Sequence, residues 1–305
     1  MTYKDYRSLA SKGYASVSQK LAWASYYFLY ILRDLGEDSA IIVYQMGKVG
    51  STTVTETLKN LSLSMPIYQV HHLTEEGQQI EEYKASLKER PAIRRRAYWA
   101  GRYLRRRLAS EVKNNQNWFL VTLTRDPIAR NISGFFHSLR RYHPQLYKQL
   151  ETNEFRALFP RLKETFLQDY PHDRSLQWFD AELSSAFDID LYQQRFPWTK
   201  GYDIIQHRNV RLLILRLEDL QSCMHIAFED WLGRSFDTFE LVSANRAAEK
   251  PYPRHYKEFK DWLVLPAEYL DHMYGSKFAQ HFYSPSELER FWQKWRGSAG
   301  AISLQ

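Results

Sequence analysis

Four short apolar runs punctuate the chain: residues 40–46 (AIIVYQM), 67–72 (IYQVHH), 118–124 (WFLVTLT) and 210–217 (VRLLILRL). Each carries β-branched residues and has the length of a buried strand. Helices are expected between them. Ser51 opens a helical stretch to about Asn60, and residues 75–113 read as charged helices broken near Pro91. Asp126 can cap and Pro127 can occupy the first position of a helix that runs to about Tyr142. Residues 144–187 read as largely helical, another helix is expected near 224–232, and the C-terminal third reads as helices joined by Pro- and Tyr-rich loops. Strands alternating with helices predict an α/β fold: a parallel sheet flanked by helices, with helical insertions and a helical C-terminal region. Ligands bind such sheets beyond the carboxyl ends of the strands. That edge collects residues 47–53, 71–74 and 125–133, each just past a predicted strand.

The longest apolar run, 21–32 (LAWASYYFLYIL), is too short for a bilayer span of about 20 residues. It is expected to pack as a helix on the domain, with an interfacial membrane helix as the other reading. With 305 residues, 44% of them hydrophobic and 15% aromatic, the chain can fill one large core, which argues against long disorder. The single cysteine, Cys223, excludes an internal disulfide framework and a cysteine-based zinc cluster and suits a reducing compartment, so a cytoplasmic location is expected. Charge is concentrated too. The formal net charge is +7, yet the stretch from Lys84 to Lys113 carries eleven basic residues against Glu89 and Glu111, leaving the rest slightly acidic. A general nucleic-acid coat does not fit that distribution. The segment 84–113 reads either as a solvated helical face or as a contact for an anionic acceptor or membrane surface. Neither His137 nor His143 has a metal-binding arrangement, and no metal is expected.

The candidate chemistry begins in YQMGKVGSTT (44–53). Gly47 and Gly50 let the backbone turn tightly, while Ser51, Thr52 and Thr53 open a helix whose N-terminal N–H groups and dipole favour an anion. Lys48 adds a positive charge. The ATP-binding pattern G-x-x-x-x-G-K-[ST] is not matched, because Lys48 lies three residues before Ser51, and that weakens an ATPase or ordinary kinase reading. Arg125 ends the third strand, and Ser133 lies on the helix that Pro127 opens. The two can converge on one phosphate, with the guanidinium supplying charge and a fork of donors. A histidine at a strand's carboxyl end, His71 or His72, can take a proton from a hydroxyl near neutral pH.

GKVGSTT resembles the loop of sulfotransferases that binds the 5′-phosphosulfate of 3′-phosphoadenosine 5′-phosphosulfate (PAPS), with Lys48, Gly50, Ser51 and Thr52 in register. LVTLTRDPIARNISGFF (120–136) resembles the 3′-phosphate segment of that superfamily, with Arg125 and Ser133 at its spacing, and VRLLILRLEDL (210–220) its later strand with Leu217 in place of Tyr. More narrowly, YQMGKVGST, residues 176–192 (LQWFDAELSSAFDIDLY), 245–260 and 277–284 resemble the capsular polysaccharide synthesis family, a sulfotransferase-like group. The resemblance implies a sulfotransferase-like domain over 40–285, between an N-terminal helical extension (1–39) and a C-terminal helix and tail (286–305). It implies PAPS as co-substrate, bound by Gly47, Lys48, Val49, Gly50, Ser51, Thr52, Thr53, Arg125 and Ser133. The implied acceptor is a hydroxyl, expected on a carbohydrate or surface-polymer precursor. Lys48 is expected to stabilise leaving-group charge. His72, which matches a catalytic His-Leu pair better than His71, is expected to act as base, with a carboxylate in 75–82 as the alternative. Two other functions fit the residues: a non-catalytic nucleotide- or anion-binding accessory protein, and a peripheral membrane scaffold using 21–32 and 84–113 at the inner membrane surface.

Overall fold

The computed structural model describes residues 17–35, 37, 39–86, 96–109, 117–150, 155–242 and 253–297. Five strands form one sheet: β1 (Ser39–Tyr44), β2 (Ile67–Val70), β3 (Asn117–Thr124), β4 (Tyr202–His207) and β5 (Val210–Arg216), in the order β2-β1-β3-β5-β4. The four apolar runs become β1, β2, β3 and β5, all mutually parallel. Ile41, Ile42, Val43 and Tyr44 are wholly buried, as expected of a central strand covered on both faces.

The expectation of a purely parallel sheet is corrected at one edge. Residues 202–207 (YDIIQH) form β4, which pairs antiparallel with β5 through a tight turn at Arg208-Asn209, where Arg208 takes a left-handed φ of 52°. The run is polar and only half-buried, as an edge strand can be, and so lacks the apolar signature of its neighbours. The second run is also shorter as a strand than its composition suggests: β2 ends at Val70, opposite Tyr44, and both histidines lie beyond it.

Helix α1 (Val17–Arg33) packs outside β2, and α2 (Ser51–Asn60) begins at the predicted residue. The charged region contains α3 (Glu75–Ser86) and α4 (Arg96–Ala109), while Pro91 lies outside the described residues. Helix α5 (Pro127–Tyr142) starts as the capping pattern requires: the Asp126 carboxylate accepts the Ile128 N–H at 3.0 Å, and Pro127 follows at the first position. Short helices and a π-helical turn (Phe179–Ser184) occupy most of 144–187, and α6 (Leu220–Leu232) follows β5. The C-terminal part is four helices, α7 (Pro253–Trp262), α8 (Ala267–Tyr274), α9 (Lys277–Phe282) and α10 (Pro285–Arg296). No helix among the described residues is long and apolar enough to cross a membrane.

Chain order around β1 reverses direction, to β2 on one side and then to β3 on the other. The crevice beyond the carboxyl ends of β1 and β3 is therefore the topological switch point, the usual ligand position in an open α/β sheet.

Candidate functional site

Residues 45–50 leave β1 in a tight loop with two left-handed positions, Lys48 (φ 77°) and Gly50 (φ 94°). Gly50 is the helix cap of α2, and no side chain caps that helix. A Cβ at Gly50 would lie 2.5 Å from Leu217 Cδ1, so glycine serves both the φ and the close approach of the β5 end. A Cβ at Gly47 would meet nothing within 4 Å, leaving that face of the loop open. Two arginines hold the loop from across the crevice: Arg125 Nη1 donates to the Lys48 carbonyl at 2.9 Å, and Arg130 Nε to the Gly47 carbonyl at 3.1 Å. Val49 is buried, Thr52 exposed and Thr53 half-buried. The Ser51 hydroxyl is nearly buried and accepts from Gln69 Nε2 of β2 at 2.9 Å.

Arg125 thus lies against the loop with one of its five donors spent on Lys48. Ser133 sits half-buried on α5. Arg130 continues along the same helix to Asn131 Oδ1 at 3.0 Å and Tyr170 Oη at 3.1 Å, bracing the loop against α5.

The histidines sit where β2 gives way to a bend. His71 Nδ1 lies 2.9 Å from the Gln45 carbonyl, and the His71 carbonyl accepts Trp178 Nε1–H at 3.1 Å, so this residue ties two segments together. His72 Nδ1 lies 3.0 Å from Glu182 Oε1. Glu182 stands on the π-helical turn, 110 residues away. Its carboxylate also accepts the Tyr44 hydroxyl at 2.6 Å, the Leu73 amide at 2.8 Å and the Thr74 hydroxyl at 2.7 Å. Burial would raise its pKa, but the bonds and charge from His72, then those from Tyr44 and Leu73, prevail and hold it at about 2. Burial and the adjacent Glu182 push the Tyr44 phenol above its ordinary range.

An ionised carboxylate only accepts, so the Nδ1 facing Glu182 carries a proton, and in the neutral ring Nε2 is then the basic nitrogen. Glu81 Oε1 lies 3.7 Å from that Nε2, beyond direct hydrogen bonding. The carboxylate alternative in 75–82 and the His72 expectation therefore converge on one place. Gly77 makes the packing possible, because a Cβ there would lie 2.0 Å from Glu182 Oε1 and 2.6 Å from His72 Cβ.

Glu182, Gln69 and Arg130 did not stand out in the sequence. Glu182 carried one signal: it shares a helical face with Phe179 and Leu183, an acid on an otherwise apolar stripe. Among the described residues no cluster of His, Cys, Asp or Glu could hold a metal ion.

Residues 156–284 match the family described as "Putative capsular polysaccharide synthesis protein", under half of the chain. The match takes in Glu182, β4 and β5, and it begins beyond the loop 47–53, His72, Arg125 and Ser133. No curated protein and no solved structure matches the chain.

Proposed function

We propose that this protein is a sulfotransferase that passes a sulfuryl group from PAPS to a hydroxyl of a carbohydrate or surface-polymer precursor. The observation that carries the reading is the placement of an uncapped helix start, a lysine loop clamped by two arginines and a carboxylate-braced histidine at one edge of the sheet. The residues suit the nucleotide: the open face at Gly47 and the uncapped N-terminus of α2 offer backbone donors to a 5′-phosphate, and Arg125 keeps donors for a 3′-phosphate. When bound, PAPS supplies the sulfuryl group and a good leaving group.

The chain's own residues then have distinct roles. The loop amides, Ser51, Thr52 and Thr53 bind and orient. Lys48 places positive charge where negative charge develops, a form of electrostatic catalysis. His72 Nε2 takes the proton of the acceptor hydroxyl, while Glu182 holds Nδ1–H and so fixes ring and tautomer. Arg125 and Ser133 select a nucleotide with a 3′-phosphate. The capsular family match over 156–284 supports a surface-polymer acceptor.

Isothermal titration with 3′-phosphoadenosine 5′-phosphate and with 5′-AMP tests the cofactor. The bisphosphate should bind at least about tenfold tighter, since a charge-assisted contact contributes about 1.5–3 kcal/mol, and Arg125→Ala should erase the difference. Equal affinities for the wild type would remove the PAPS assignment. With sulfuryl transfer from PAPS to a capsular glycan as the assay, Lys48→Ala should lower turnover by about 10²-fold or more. Tight nucleotide binding without transfer to any glycan or lipid acceptor would instead favour the accessory protein.

A further inference from the structure

Helix α1 is apolar on two opposite sides. Its inner side is aromatic: Tyr26 stacks on Trp99 with ring centroids 6.0 Å apart, and Tyr30 lies 5.1 Å from Tyr103 and 5.7 Å from Tyr68. Just past the helix, Asp34 accepts the hydroxyls of Tyr68 and Tyr103 and pairs with Arg107 of α4. These contacts fix which way α1 faces. At about 100° per residue, Phe28, Leu32 and the following Leu35 fall in one narrow stripe on the opposite side, widened by Leu29. The stripe is 59% (Phe28), 47% (Leu32), 66% (Leu35) and 58% (Leu29) exposed. With Ile31, four of the nine large hydrophobic side chains exposed among the described residues lie on α1 and a fifth, Leu35, just past it, which makes a patch rather than scatter.

The two helices that form this face are basic; of the acids that follow α1 in sequence (Asp34, Glu37 and Asp38), Asp34 is taken up by Tyr68, Tyr103 and Arg107. Neither α1 (VSQKLAWASYYFLYILR) nor α4 (RAYWAGRYLRRRLA), on which it packs, contains an acidic residue. Arg33 and Arg106 are exposed, with their guanidiniums over the rings of Tyr68 (4.1 Å) and Tyr27 (5.7 Å). An apolar helical stripe flanked by arginines and tyrosines is complementary to an anionic lipid surface, where acyl chains meet the stripe and phosphates meet the cations. A second copy of the chain would press the same arginine-flanked stripe against itself.

We propose that α1 is an in-plane anchor that seats the protein on an anionic bilayer, with Phe28, Leu29, Leu32 and Leu35 entering the boundary between headgroups and acyl chains. No helix among the described residues is long and apolar enough to cross a bilayer, and the proposal places α1 along the surface. The inference stands independently of the sulfotransfer reading.

Sedimentation of the full chain with vesicles tests it. Wild type should pellet with 3:1 phosphatidylcholine:phosphatidylglycerol vesicles at least tenfold more strongly than with pure phosphatidylcholine, and raising the salt from 0.1 to 0.5 M should weaken this binding. The double variant Leu29→Asp/Leu32→Asp should lose the binding while keeping its circular dichroism spectrum and melting transition. Ile226→Asp, an exposed apolar site on α6, should bind like wild type. No pelleting of wild type with anionic vesicles, or equal pelleting of the double variant, overturns the proposal. So does a wild-type dimer in light scattering that Leu29→Asp/Leu32→Asp splits, which would assign the stripe to a second copy. Should the double variant fail to fold, Arg33→Gln/Arg106→Gln replaces it, with reduced anionic binding expected and unchanged binding overturning the proposal.

Discussion

Glu182 links the proposed chemistry to stability at a single residue. Its carboxyl, with a side chain 5% exposed, is held at about 2 in the fold against an ordinary 4.5. A depressed carboxyl pKa contributes stability that is present above the ordinary value and lost as pH falls toward the folded one. The unfolding free energy of the wild type, from urea titrations, should therefore drop between about pH 4.5 and pH 2, by on the order of 3 kcal/mol from this group. Glu182→Gln should be less stable at pH 7 and show a flatter acid limb; an unchanged slope would mean that the carboxylate is not held as described. If His72 is the base, Glu182→Gln should also lower kcat by about 10²-fold or more with little change in bisphosphate affinity, because Glu182 positions the ring and does not hold the nucleotide. The histidine pair was legible as a candidate from its place after an apolar run. Its brace was not, because a glutamate 110 residues away has no local mark beyond its place among Phe179 and Leu183.

Among the elements, α5 joins the site to the rest of the fold. Its cap residue, Asp126, accepts Ile128 N–H and the Tyr274 hydroxyl, both at 3.0 Å, and Trp295 Nε1–H at 3.1 Å. Tyr274 ends α8 and Trp295 lies in α10, so one carboxylate starts the helix after β3 and anchors two C-terminal helices. Asp126→Ala removes the cap and leaves two buried donors unpaired, which should cost about 3 kcal/mol or more in chemical denaturation. Asp126→Asn, which keeps an acceptor for the cap, should cost less. A loss within about 1 kcal/mol for the alanine variant would show that cap and anchors re-form elsewhere. The cap itself was readable from Asp126-Pro127, since capping is local chemistry. Its second duty required the C-terminal helices to be in place.

Across the whole molecule, the last helix is part of the core. Trp295 is 1% exposed, and Glu287 of the same helix lies 3.0 Å from Arg216, itself 3% exposed at the end of β5. Arg216 also pairs with Asp219 and donates to the carbonyls of Trp198 and Phe282. A chain ending at residue 284 loses a buried tryptophan and one carboxylate partner of a buried guanidinium. Each change costs about 3–5 kcal/mol against a total stability of about 5–15 kcal/mol. Such a chain should lack the cooperative thermal transition of the full protein, and a cooperative melt within a few degrees of wild type would contradict this placement. The basic segment changes meaning at this scale as well. In its described part, Arg107 is spent on Asp34 and Arg105 on Glu75, so some of the charge that reads as a solvated face stabilises the docking of neighbouring elements.

The sequence alone determined what lies within one turn or one strand: the four parallel strands, the start of α2 at Ser51, the Asp126–Pro127 start of α5 and the glycine-containing turn after β1. Propensity, capping and backbone sterics act over a few residues and leave their mark where they act. The tertiary structure decided the pairings: Glu182 under His72, Arg125 and Arg130 on the loop carbonyls, and β4 antiparallel at the edge. A buried charge or a half-polar edge strand is stable only beside a partner brought from far along the chain, and that partner's identity is a property of the topology.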